Sequence, residues 1–301
     1  MRGRVYEQRM SWKSVADLLT DDPGAPIALL GAPMEKGSVT PGRCDLAPEI
    51  VRRTLRRFST YDLETGDELD LAVRDLGEVP VRGVSPSDGF DPIRNAVLGA
   101  TASHALTILL GGNNAVTRPA VRGLGLPLSQ VGLITLDAHF DMRDTDRGPM
   151  NGNPVRCLLE DGLPGRNLVQ IGLAPFANTK KMHDDALAAE ASTFTIHQCI
   201  EDGLMLLDSV WERLAHVEAI AVDFDIDVID RAQLPGAPGA RPGGMPVRMF
   251  FDFARRLAAE PRVRLVDLTE FDPSLDLSDI SALTAGRWVC EILAGFKARA
   301  R

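Results

Sequence analysis

The chain has 301 residues, 45% hydrophobic and 25% charged, proportions that exclude a disordered or fibrous architecture. With 33 basic against 42 acidic residues the formal net charge is -9, which argues against a nucleic-acid partner. Four well-separated cysteines (Cys44, Cys157, Cys199, Cys290) without a CxxC pair fit unpaired thiols in a reducing cytosol. No apolar stretch reaches membrane-spanning length, and Met1 to Trp12 lacks the apolar region of a signal peptide, so the expectation is a cytoplasmic protein with no membrane partner.

Along the chain, short apolar runs of strand length recur, each followed by a Gly- or Asp-bearing turn and a segment of helical period. Ile27 to Leu30 is the first strand, followed by a helix over Glu49 to Phe58. Val73 to Leu76 precedes Pro92 to His104, Leu106 to Leu110 precedes Ala115 to Gly123, and Val131 to Leu136 precedes Pro154 to Glu160. The strand Leu168 to Ile171 leads to the helices Thr179 to Ala189 and Gly203 to His216; Ala219 to Val222 leads to Val247 to Leu257, and Val263 to Val266 to Ile280 to Phe296. Strands that are continuously apolar rather than alternating are buried on both faces. The expected fold class is therefore α/β, a three-layer α/β/α sandwich around a mainly parallel sheet of roughly eight strands. No linker or repeat divides the chain, so one domain over 1–301 is expected, with residues 1–24 an extension packing on it.

In such sheets ligands gather at the carboxyl ends of the strands. There Asp137, His139 and Asp141 follow Val131 to Leu136, and in an extended chain their period of two puts them on one face. Carboxylate, imidazole and carboxylate suit Mn²⁺ or Zn²⁺; the plainer reading is a polar strand end with a capping Asp. A second cluster, Asp223, Asp225 and Asp227, follows Ala219 to Val222, with Asp230 three residues on. Like charges about 4 Å apart cost roughly 1 kcal/mol per pair in water and about 4 at an effective dielectric near 20, so bringing the clusters together requires cations. Four aspartates match two divalent ions, a known device for activating water, which makes hydrolysis the leading reaction class. Two further strand ends are the glycine turn Gly111-Gly112-Asn113-Asn114 and the segment Glu270-Phe271-Asp272-Pro273, where Glu270 follows a buried strand.

Together these elements resemble the ureohydrolases, the family of arginase, agmatinase and formimidoylglutamase. The resemblance covers nearly the whole chain: Gly31-Ala32-Pro33, Lys36-Gly37, Pro41-Gly42, the turn at Gly111, DAHFD from Asp137, DxD at Asp225, Pro235-Gly236 to Gly243-Gly244, and Glu270 with Asp272-Pro273. It implies an arginase-like fold, a homo-oligomer (trimer or hexamer), and two Mn²⁺ ions per subunit whose bridging hydroxide attacks an amidine or guanidinium carbon. By position Asp137 and Asp225 would bridge both metals, Asp141 would bind the first, and His139 and Asp227 the second. Glu270 matches the carboxylate that pairs with the cationic amidine, Asp230 a structural acid, and Asp223 stands where the family usually has a small hydroxyl residue.

Two departures matter. Asn114 occupies the place of a metal-ligating His, and an amide oxygen is a weaker donor, so the first metal should bind less tightly. Some formimidoylglutamase-like members share this Asn. Asn151 stands in the usual His-Gly motif and cannot shuttle a proton, which argues against arginase proper. Asn151 and Arg241 are the candidate substrate-binding residues; Arg43 and Arg156 are further loop arginines that could face a dicarboxylate. The other four histidines, His104, His183, His197 and His216, lack ligand spacing. The expectation is a hydrolase of a small linear amidine, formimidoylglutamase-like ahead of agmatine or guanidino-acid hydrolysis. The rival is a non-catalytic binding protein on the same fold.

Overall fold

The computed structural model describes residues 12–299. Nine strands form one sheet in which every pairing is parallel. From edge to edge they run Leu19–Thr20, Val73–Glu78, Ile27–Ala32, Leu106–Gly111, Val263–Thr269, Ala219–Asp225, Val131–Leu136, Leu168–Leu173 and Ser192–Thr195. Tyr61–Asp62 and Asp67–Glu68 form a separate antiparallel hairpin.

Each strand read from an apolar run begins at the residue where that run begins, and all but Val131–Leu136 continue past its end. The extensions begin at a glycine or a polar residue, where an apolar run is interrupted, such as Gly111, Asp223 and Asp267. The edge strands Leu19–Thr20 and Ser192–Thr195 were not expected; they are only half-buried and carry no continuous apolar run. The expected helix at Pro92 begins instead at Pro86, where Ser85 Oγ accepts from the Asp88 N–H. Pro92 lies inside the helix on its exposed face, where a carbonyl without an N–H partner can be hydrated.

Neighbouring residues of the central strands point to opposite faces and build two cores. Leu29, Leu110, Ile134 and Phe224 face the helices Ala47–Thr54, Val247–Ala258 and Ile280–Ala298, with Trp288 edge-on to Phe224 at 5.3 Å between ring centroids. Leu30, Leu109 and Leu133 face the helices Pro86–Ser103, Thr117–Arg122 and Pro154–Glu160. Burying each such side chain contributes roughly 1.5 to 3 kcal/mol before the entropy of ordering the chain is subtracted. The arrangement is the expected α/β/α sandwich. Of the expected N-terminal extension, residues 1–11 lie outside the described residues, and Val15 and Leu18 join the first core. The four central strands, Leu106–Gly111, Val263–Thr269, Ala219–Asp225 and Val131–Leu136, all end on the same side, and residues at or just after the ends of the last three, Glu270, Asp225 and His139, line one pocket.

Candidate metal centre

The chain leaves the strand Val131–Leu136 at Asp137, and residues 137–141 turn rather than extend. Asp137 Oδ1 accepts the His139 N–H at 2.6 Å, and Asp141 takes a left-handed φ of 52°, an uncommon conformation for a residue with a side chain. The second acidic cluster turns in the same way. Asp225 ends its strand, its Oδ1 accepts the Asp227 N–H at 2.9 Å, and Ile226–Val228 forms a short 3₁₀ turn. Strand alternation thus singles out residues that the fold does bring together, although carboxylate-capped turns rather than an extended chain do so.

Two donor groups result. Single ligand atoms from Asp137, His139 and Asp227 lie within 4.8 Å of one another, as do atoms from Asp137, Asp141 and Asp225. Asp137 belongs to both, the arrangement expected of a bridging ligand, whereas Asp225, also expected to bridge, belongs only to the group with Asp141. His139 Nδ1 lies 3.1 Å from Asp227 Oδ2 and 3.3 Å from Asp137 Oδ1. All four aspartates are buried, and a set of carboxylate oxygens with one imidazole nitrogen fits Mn²⁺. The loop from Pro235 to Gly244 closes one side. A Cβ at Gly239 would fall 1.9 Å from Asp227 Oδ2 and 3.2 Å from His139 Cε1, so only glycine leaves the second group open.

Asn114 is 1% exposed and reaches the first group. Its Nδ2 donates to Asp141 Oδ2 at 2.7 Å and, more distantly, to Asp225 Oδ2 at 3.4 Å; its Oδ1 accepts the Thr117 hydroxyl at 2.5 Å. As placed, the amide offers hydrogen to the carboxylates. A half-turn exchanges Oδ1 for Nδ2, and Thr117 can then accept from the amide while donating to Asp267 Oδ2, 3.3 Å away. The residue is positioned for either role.

Glu270 leaves the adjacent strand with a left-handed φ of 62° and projects into the same pocket. Its Oε1 accepts the Asn114 backbone N–H at 2.7 Å and Asn151 Nδ2 at 3.0 Å. Asn151 Oδ1 in turn accepts the Val39 N–H at 2.8 Å. Asn151, expected to touch substrate, lines the pocket, but its amide is engaged at both ends in positioning Glu270 and the Val39 segment.

The electrostatics of the bare protein are those of a site built around positive charge. Burial, and then the charge of Asp227, push Asp137 up to about 8. Asp141 and Asp225 lie well above the usual carboxylate range, through burial and then the charges of Asp137 and Asp227 respectively. Burial works against the charged form of His139, but Asp227 and Asp137 outweigh it and raise its pKa to about 12, so an imidazolium stands among the carboxylates. Burial would also raise Asp227, yet the opposing His139 charge lowers it. Glu270 is pushed up to about 7 by burial, against the hydrogen bonds from Asn151 and Asn114.

Beneath these ligands Asp223 and Asp267 face each other across adjacent strands, both 1% exposed. Neither Asp223 oxygen nor Asp267 Oδ1 has a conventional donor among the described residues. Burial, then Asp223's charge, lifts Asp267 well above the usual range, while burial raises Asp223 to about 6, so one proton shared between the two carboxyls satisfies the pair. Asp267 and Thr117 escaped sequence reasoning because each lies within a regular element rather than at a strand end.

Arg241 lines the pocket mouth, its Nη1 donating to the carbonyls of Gly239 and Ala240 at 2.6 and 3.3 Å. Arg43 and Arg156 are engaged elsewhere, by Asp45 at 2.8 Å and by Asp185 respectively. Asp230 accepts the Gly243 N–H at 2.6 Å and shapes the loop, as a structural acid should. His104 bonds the Ala25 carbonyl at 2.7 Å, His216 bonds Asn167 at 2.8 Å, and His183 stacks on Phe140, all outside the two donor groups. The residue missed at the mouth is Arg143, which continues the alternation of Asp137, His139 and Asp141 by one more step.

The arginase family profile matches residues 25–295. A formimidoylglutamase of Halalkalibacterium halodurans is 32% identical over 276 residues, covering 89% of this chain and 86% of its own. The crystal structure of formimidoylglutamase from Bacillus subtilis superposes with a TM-score of 0.91 at 25% identity, over 99% of this chain and 96% of that one. A formiminoglutamase of Trypanosoma cruzi, crystallised with Mn²⁺, shares the fold at a TM-score of 0.88 and 21% identity, over 95% of this chain and 99% of that one. With an aspartate–histidine site at the ends of its central strands and a family match over most of its length, the chain belongs to the arginase family.

Proposed function

We propose that this protein is a Mn²⁺-dependent hydrolase of linear amidines with formimidoylglutamase activity, splitting formiminoglutamate into glutamate and formamide. The observation that carries the reading is Glu270. It is a buried carboxylate on the pocket floor, held by two donors on Oε1 and sharing the pocket with both donor groups. Oε2 keeps its lone pairs for an amidinium N–H, which would set the amidine carbon beside the aspartates.

Asp137, Asp141, Asp225 and the Asn114 amide would hold the first cation, and Asp137, His139, Asp225 and Asp227 the second. Bound there, the two ions would offset the four carboxylates and activate water for attack on the amidine carbon. The protein's own groups supply the rest. Glu270 binds and orients the amidine. Asn151 fixes Glu270 rather than moving a proton, since an amide exchanges none near neutral pH. Asn114, a weaker donor than imidazole, makes the first cation the looser of the two. The names of the relatives support formiminoglutamate ahead of guanidino substrates. Pairing of early and late segments at the centre of the sheet, as between Leu106–Gly111 and Val263–Thr269, supports a single domain.

A substrate panel tests the proposal. The Mn²⁺-loaded protein should release formamide from formiminoglutamate and little urea from agmatine or guanidinobutyrate. Urea from either of those, with no formamide from formiminoglutamate, would sink it.

A further inference from the structure

Two guanidinium groups, Arg143 and Arg241, stand at the mouth of the pocket, both exposed and neither in an ion pair among the described residues. Of the arginines in nearby elements, Arg43 is neutralised by Asp45, Arg118 by Asp161 and Arg156 by Asp185, whereas Arg147, further along the loop of Arg143, is in no ion pair among the described residues but does not line this pocket. Arg241 is turned onto backbone carbonyls of its own loop. The guanidinium of Arg143 has no hydrogen-bond partner at all among the described residues, although Asp141, Asp144 and Asp146 are close in sequence.

Arg143 is nevertheless held in place. Its N–H donates to the Gly152 carbonyl at 3.1 Å, and its stem lies flat on that glycine: a Cβ at position 152 would fall 2.7 Å from Arg143 Cδ and 2.9 Å from Nε. A cation positioned this closely but left without a counter-ion, on the wall of a pocket with an acidic floor, is prepared for a ligand carboxylate. The charge balance points the same way. A chain of net charge -9 repels a dianion in general, and two guanidinium groups at the mouth put positive charge where such a ligand would enter.

Resting on the formimidoylglutamase reading, we propose that Arg143 is a substrate-binding residue. It takes one carboxylate of a dicarboxylate amidine while Arg241 faces the other, so that the pocket selects dicarboxylate over monocarboxylate or cationic substrates. Arginine suits this task because its planar fork matches a carboxylate bidentately.

The test uses the Mn²⁺-loaded enzyme and compares Arg143→Ala, Gly152→Ala and, as a control from the same loop, Arg147→Ala. Substrates are formiminoglutamate and its two analogues lacking one carboxylate or the other. Arg143→Ala should raise KM for formiminoglutamate by about tenfold to a hundredfold, with kcat changed by less than about twofold and bound Mn²⁺ unchanged. One analogue should be indifferent to the substitution, which identifies the carboxylate that Arg143 binds. Gly152→Ala keeps the charge but displaces the stem, and should raise KM in the same sense; Arg147→Ala should leave it unchanged. If wild type hydrolyses formiminoglutamate and Arg143→Ala leaves its KM and the preference among analogues unaltered, Arg143 has no such role. If wild type hydrolyses only guanidino compounds, the functional reading fails, and the dicarboxylate assignment falls with it.

Discussion

Removing divalent cations should make the protein's stability fall as pH rises through neutrality. Asp137 moves from an ordinary 3.8 up to about 8 when the site is bare, because burial and then Asp227 disfavour its charged form. His139 moves from 6.5 up to about 12, the carboxylates of Asp227 and Asp137 outweighing burial. In both cases the folded chain binds more protons than the unfolded chain, so stability declines with pH between the two values. The window runs from 3.8 to about 8 for Asp137 and from 6.5 to about 12 for His139, and the two overlap around neutrality. Between about pH 6 and about pH 8, Asp137 alone loses on the order of 2 kcal/mol, near the limit of about 1.4 kcal/mol per pH unit for one titrating group. For a chain of this size that corresponds to roughly 3 °C in Tm. Bound cations keep the ligands deprotonated, so the loaded protein should lack this slope and the stabilisation by Mn²⁺ should grow with pH. Thermal melts of chelator-treated and Mn²⁺-loaded protein across this interval measure both slopes. A metal-free Tm that stays flat or rises from pH 6 to pH 8 would refute the reasoning.

Other substitutions probe the individual groups. Asn114→His should lower the dissociation constant of the weaker Mn²⁺ by about tenfold to a hundredfold in a calorimetric titration, since imidazole is the better donor; an unchanged constant would mean that Asn114 does not face the cation. Glu270→Gln should reduce kcat/KM by about one to two orders of magnitude with Mn²⁺ content intact, and a wild-type rate would remove Glu270 from the mechanism. Gly239→Ala places a methyl 1.9 Å from Asp227 Oδ2, so elemental analysis should find loss of the cation shared with His139, and a full complement of metal would contradict that geometry.

Much of the site was legible because acids placed directly after buried strands have few structural uses, and Asp137, Asp225 and Glu270 stand at such ends. What remained hidden had ordinary local contexts. Arg143 among acidic loop residues reads as a solvated charge until the fold lays it on Gly152. Asp267 lies inside a strand whose apolar run stops at Val266, so nothing local announces its pairing with Asp223. Asn151 could be recognised as unable to carry a proton, whereas its grip on Glu270, 119 residues away, depends on tertiary structure. The helix Ile196–Asp202 was missed for a similar reason: it is short and rests on the Thr195–Gln198 capping box more than on an apolar stripe.

The most direct test of a two-cation hydrolytic site is a titration of chelator-stripped protein with Mn²⁺, following formiminoglutamate hydrolysis against bound metal per chain. Turnover should be absent without metal, and the rate should climb through the second equivalent and level at two ions per chain. A full rate at one ion or none, or no hydrolysis with both sites filled, would contradict a two-cation hydrolytic site.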